Sequence, residues 1–167
     1  MNQQIELDAQ KFRRYMEGLR QQQRLGPGIL SGITAAAIGA IGWAAVTYLT
    51  NNQLGAMAVA VGALVGFAVR KFGKGIDIQF RILAALLALL GCLVGNLLVV
   101  CIIIARHGGF SVIGVISELT PAGAIKWLQA TFDPVDIVFY GIAVYAGFKF
   151  AVRGLTQEDY AKIANMP

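Results

Sequence analysis

Charge is scarce in this sequence. Asp, Glu, Lys and Arg make up 14% of its 167 residues, against about 25% in ordinary soluble domains. With 57% hydrophobic residues and a mean hydropathy of +0.65, that scarcity excludes a disordered chain, a collagen-like chain and a typical soluble enzyme. Cysteine and histidine are also sparse. Cys92 and Cys101 lie in one apolar run with neither a CxxC nor a metal-ligand spacing, and read as small apolar residues of a helix. The one histidine, His107, is followed by Gly108-Gly109 and reads as a helix-end or surface group. Glu118, Asp133 and Asp136 are its only candidate companions for acid–base or metal chemistry, and no spacing requires them to meet it. No catalytic residue, metal ligand or cofactor is therefore assigned. The N-terminal stretch MNQQIELDAQKFRRYMEGLR lacks the apolar core of a cleavable signal, and neither terminus carries a lipidation motif.

Against these absences stand long apolar runs, which predict an all-α, four-span integral membrane protein. Ile29 to Thr50 is uncharged and about 33 Å long as a helix. Leu54 to Val69 is uncharged but reaches only about 24 Å, so it needs Arg70 and Lys71 to snorkel at one end. Ile82 to Ala105 is the longest and most apolar run, and Val135 to Val152 is the fourth. The connection Asn51-Asn52-Gln53 predicts an antiparallel hairpin of the first two spans. The expected organisation is an N-terminal cytoplasmic segment, 1–27, a transmembrane domain, 28–153, and a cytoplasmic C-terminal tail, 154–167. The spans fall at about 29–50, 54–70, 82–105 and 135–152.

The few charges orient these spans. With the N-terminus in the cytoplasm, that side receives Lys11, Arg13, Arg14, Arg20, Arg24, Arg70, Lys71, Lys74, Arg81, Lys149, Arg153 and Lys162, leaving only Arg106 and Lys126 of the 14 Lys+Arg for the far side. Cationic flanks resist translocation, so both termini are expected in the cytoplasm of a bacterial inner membrane. The net charge of +5 is then a transbilayer asymmetry and not a nucleic-acid signal.

Three pieces lie outside the spans. Ile5, Ala9, Phe12, Met16 and Leu19 recur at helical spacing among polar residues, predicting an amphipathic helix that Gly26-Pro27-Gly28 ends. Thr156 followed by Glu158 and Asp159 reads as the capped start of a short C-terminal helix. Residues 106–134 form an outer segment, with an apolar stretch from Phe110 to Ile116 and a helix starting at Thr120-Pro121. Its 110–131 portion is expected to be interfacial or re-entrant. The string Phe67-Ala68-Val69-Arg70 is echoed by Phe150-Ala151-Val152-Arg153, as two duplicated hairpins would produce.

Small residues stack at four-residue spacing in every span: Gly28 and Gly32; Ala58, Gly62 and Gly66; Gly91 and Gly95; Ala143, Gly147 and Ala151. Such rows let helix backbones approach closely, either within one chain or between copies of a homo-oligomer. Asn96 is the one strongly polar side chain at mid-membrane depth. It either bridges helices by a hydrogen bond or lines a polar path. The absence of acids, His or Arg at central membrane depth argues against an ion-coupled pump. On the cytoplasmic side, Arg70, Lys71, Gly73, Lys74 and Gly75 form a basic, glycine-containing turn. It reads either as a flexible loop or as a site for a phosphate group such as an anionic lipid headgroup, and it lacks the Walker A spacing.

Residues 62–105, GALVGFAVRKFGKGID followed by LAALLALLGCLVGNLL, resemble a family of uncharacterised bacterial multi-span membrane proteins. In that family an FGKGI turn joins two apolar helices, the second carrying an LLGCLLGNLL-like run. Members often carry a soluble N-terminal module, sometimes a zinc ribbon. The N-terminus here has no cysteine, so the resemblance implies no zinc, and it transfers no activity. Composition and motifs together predict a non-enzymatic membrane protein that self-associates or scaffolds a membrane-protein partner through its Gly/Ala faces. The alternatives are a passive pore-like homo-oligomer and, third, a lipid-handling enzyme using His107 and the outer acids.

Overall fold

Long aliphatic runs without internal proline favour uninterrupted helices, and helix is the only regular structure among the described residues, 2–50 and 55–166, of the computed structural model. The order is α1 (Asn2–Gln21), α2 (Leu25–Thr50), α3 (Met57–Gly73), α4 (Ile78–Gly108), α5 (Val112–Ser117), α6 (Pro121–Thr131), α7 (Pro134–Phe150) and α8 (Gln157–Ala164). The expected tight link at Asn51-Asn52-Gln53 lies outside the described residues.

Helix bounds depart from the predicted spans in an instructive way. The break after α1 falls at 22–24, and Gly26-Pro27-Gly28 forms the first turn of α2. A proline in a first turn loses no helical hydrogen bond, because its missing N–H would have had no partner there. α4 starts at Ile78 and runs 31 residues, about 46 Å, past the charge at Arg81. Arg81 lies over the Phe148 ring at 5.2 Å, so the charge limits an apolar span without ending the helix. Caps agree with the sequence signals. Thr120, Asp133 and Thr156 each accept a backbone N–H, with capping boxes at Asp133/Asp136 and Thr156/Asp159.

Close approaches fix how α2, α3, α4 and α7 pack. A Cβ on Gly28, Gly32 or Gly39 of α2 would meet Gly73, Val69 or Val61 of α3, so these two helices run antiparallel. Gly28 and Gly32 also face Phe80 and Leu87 of α4, and Gly95 of α4 faces Ala40 and Trp43 of α2. α4 is thus parallel to α2. Gly62 and Gly66 of α3 abut Ala143 and Gly147, so α7 is parallel to α3. α3 and α4 touch each other and both outer helices, whereas α2 and α7 share no contact. The core on this diagonal contains Trp43, Val61, Val65, Val69, Cys92, Asn96 and Val99. The echoed FAVR strings end neighbouring parallel helices, with the Phe67 and Phe150 rings stacked at 4.9 Å.

The far end of α4 extends beyond α3 and α7. There Cys101 and Ala105 pack with Val115 of α5, joined by Leu119 and by Trp127 of α6. α2 and α4 are each long and apolar enough to cross a membrane. α3 and α7, of 17 residues each, are about 26 Å long. The outward faces of α2, α4 and α7 expose Leu30, Ile38, Ile41, Leu86, Leu90 and Ile137.

Candidate functional site

The polar chemistry of the molecule collects at one end of the bundle, where α1, α8 and the turn after α3 meet. Arg24 N–H donates to Gly73 O at 2.9 Å, and Arg153 N–H donates to Gly75 O at 3.2 Å. Gln23 Nε2 donates to Asp77 Oδ2 at 2.8 Å, while Gln23 Oε1 accepts from the N–H groups of Ile76 and Asp77. Arg20 Nε reaches Asp77 Oδ1 at 3.1 Å. The link between α1 and α2 is thereby fastened to the turn between α3 and α4.

A second knot joins the chain's two terminal helices. Tyr15 Oη donates to Asp159 Oδ1 at 2.5 Å, and Arg153 Nη2 lies 2.8 Å from both carboxylate oxygens. Thr156 N–H and Oγ1 donate to Oδ2 at 2.8 and 2.9 Å. Asp159 is fully buried by these partners. The Thr156 backbone N–H, with the Tyr15 hydroxyl next, holds its carboxyl well below the usual carboxylate range, outweighing desolvation. The same bond raises the Tyr15 phenol above its ordinary value, with desolvation and the Asp159 charge adding to it.

The glycines of the turn serve packing. A Cβ on Gly75 would sit 2.1 Å from Phe80 Cγ, and one on Gly73 would sit 2.8 Å from Phe80 Cε1. Lys74, between them, adopts the left-handed conformation at φ 48°, ψ 33° and closes α3 by donating its N–H to Arg70 O. The N–H groups of Ile76 and Asp77 both donate to Gln23 Oε1, so these two amides of the turn are already engaged. Arg70, Lys71, Lys74 and Arg153 line a cavity of about 440 Å³ with Phe67 and Leu19 on its apolar walls.

The small-residue rows lie mostly between helices of the same chain. A Cβ on Gly62 would come 2.2 Å from Ala143 O, and one on Gly147 would come 2.9 Å from Ala84 O. Gly66 faces Gly147 O at 2.9 Å, and Gly91 faces Val61 and Ala36. Ala58, Ala143 and Ala151 are fully buried. Gly42 of α2 and Gly141 of α7 have nothing within 4 Å of a built Cβ.

Asn96, 1% exposed, donates from Nδ2 to Tyr140 Oη at 2.8 Å, bridging α4 and α7. His107 Nδ1 lies 2.9 Å from Ile103 O, and Asp133 and Asp136 direct their carboxylates to the capping box of α7. Among the described residues, no three of His, Cys, Asp and Glu gather as a metal site.

Sequence reasoning missed Tyr15, Gln23 and the burial of Asp159. The Thr156-x-x-Asp159 spacing was visible as a cap, but nothing in the text pairs it with a tyrosine so far upstream. No protein-family model, curated protein or solved structure matches the chain.

Proposed function

We propose that this chain is a non-enzymatic, four-span protein of a bacterial cytoplasmic membrane that scaffolds a membrane-protein partner or a second copy of itself. Both termini lie in the cytoplasm. The observation that carries this reading is the joining of α1, α8 and the turn 74–77 into one hydrogen-bonded platform at the basic end of the bundle. Arg20, Arg70, Lys74, Arg81, Lys149 and Arg153 belong to that end, as cytoplasmic flanks of spans do. A platform tied down at this many points is a presented surface, and α1 keeps Phe12 exposed on it. α3 and α7 reach across with their terminal cations snorkelling.

Because the small-residue rows are occupied inside the chain, self-association falls to outward faces such as Ile38, Ile41 and Ala45 around Gly42. The pore reading has less support, since Asn96 is engaged by Tyr140 in the buried core.

Topology reporters fused at each terminus and inserted at Gly109 test the placement. Cytoplasmic signals from both termini and an external signal at residue 109 are expected. Termini on opposite sides, or a chain recovered soluble without detergent, would overturn it. Native mass spectrometry of the full chain in nanodiscs then counts copies and retained partners. Ion flux that responds to Asn96→Leu would favour the pore over the scaffold.

A further inference from the structure

We propose that the cavity beneath α1, between the last turn of α3 and the end of α7, binds the phosphate-bearing headgroup of an anionic phospholipid of the cytoplasmic leaflet. This rests on the membrane placement above and adds to it a ligand and a site.

The sign of the cavity is one-sided. Arg70, Lys71, Lys74 and Arg153 line it, and no carboxylate among the described residues does. Arg153 is already neutralised by Asp159, while Arg70, Lys71 and Lys74 meet no carboxylate among the described residues. Lys71 Nζ lies 5.9 Å from the centroid of the Phe72 ring. Three exposed cations without a carboxylate partner give this concavity a positive potential that a bound anion would offset.

The walls favour an amphiphile over a bare ion. Phe67 lies one helical turn before Arg70, is 50% exposed, and is braced by its stack on Phe150. Leu19 of α1 and Ile76 of the turn add further apolar wall. A ligand seated here meets cations at one level and aromatic surface at the level where lipid chains begin. A volume of about 440 Å³ suits a headgroup. Lys74 supplies an independent sign. It is the only described non-glycine residue with positive φ, although glycines flank it on both sides. The left-handed backbone that closes α3 thus carries a cationic side chain in place of a glycine, and that residue lines the cavity. Since long, flexible cations carry the binding and the nearby amides are held by Gln23, the site selects for negative charge more than for one headgroup.

The test uses the full chain in nanodiscs of zwitterionic phosphatidylcholine doped with phosphatidylglycerol, with bound lipid read by native mass spectrometry. Wild type should retain phosphatidylglycerol preferentially, by about tenfold or more over phosphatidylcholine. Arg70→Gln/Lys71→Gln/Lys74→Gln should lose that preference. Lys11→Gln/Arg13→Gln/Arg14→Gln, which removes equal charge from α1 outside the cavity, should keep it. Equal losses in the two triple variants, or preference retained by the first, would overturn the site. If the first triple variant fails to fold by circular dichroism, Lys71→Gln/Lys74→Gln takes its place with the same criteria. Millimolar inorganic phosphate added to lipid-free micelles should leave the melting temperature unchanged. A rise matching that from phosphatidylglycerol would reassign the cavity to free phosphate. A chain that is soluble without detergent would sink the membrane placement itself, whereas a membrane-embedded chain without lipid preference would sink only the site.

Discussion

Tyr15 and Asp159, 144 positions apart, share a 2.5 Å hydrogen bond that closes the chain's two terminal helices onto each other. Its two ends respond to pH in opposite senses. Folding favours the ionised Asp159, so its stabilisation is whole above the unfolded carboxyl value of about 3.9 and is lost as pH falls through the lower folded value. Folding favours the neutral Tyr15, so its stabilisation is whole below about 10 and is lost as pH rises through the higher folded value. Spin labels at Glu17→Cys and Asn165→Cys should report an unchanged distance from about pH 5 to about pH 9. The native Cys92 and Cys101 are buried and should not compete for label. Tyr15→Phe should loosen the pair at neutral pH and remove the alkaline limit. A distance that shifts between pH 5 and 9 in wild type would refute this coupling.

Glycines that look alike in the sequence should behave oppositely. Gly62→Ala drives a Cβ to 2.2 Å from the backbone oxygen of Ala143, where neither helix can yield without separating. The expected cost is about 1–3 kcal/mol. Gly42→Ala meets nothing within 4 Å and should stabilise by up to about 1 kcal/mol through helix propensity and a less free unfolded chain. Reversible unfolding in mixed micelles measures both. Similar effects from the two variants would mean that α3 and α7 do not approach as described.

The Asn96–Tyr140 hydrogen bond should couple α4 to α7 by about 0.6 kcal/mol, and by no more than about 1.7 kcal/mol, the range for such bonds within membrane bundles. A double-mutant cycle with Asn96→Leu and Tyr140→Phe isolates that coupling from the burial each side chain loses. Strict additivity of the two changes would show that the bond contributes nothing.

Much of the helical layout was legible because periodicity and capping are local. Thr120-Pro121 and Thr156-x-x-Asp159 announce helix starts whatever surrounds them, and four apolar runs announce their helices. The destination of each face was not legible. Gly62 and Gly42 both sit in small-residue apolar text, and only the packing of α3 on α7 separates a buried contact from an open surface. Asp159 looked like an ordinary first-turn acid, because its burial depends on Tyr15 and Arg153 arriving from other elements. The glycines at 73 and 75 read either as a flexible turn or as part of a phosphate site. Their absent side chains instead admit Phe80, and the left-handed turn falls on Lys74.

That lysine supports a prediction in which stability and binding move apart. A left-handed non-glycine residue carries roughly 1 kcal/mol of backbone strain, so Lys74→Gly should raise unfolding stability by about that amount in phosphatidylcholine. The same change removes one of three uncompensated cations from the cavity, so retention of phosphatidylglycerol should fall. Lys74→Gln keeps the strain and removes the charge, and should lose retention without gaining stability. Lys74→Arg keeps both and should resemble wild type in each measurement. If Lys74→Gly gained stability with undiminished lipid retention, the left-handed lysine would serve only to end α3, and the cavity would rest on Arg70 and Lys71.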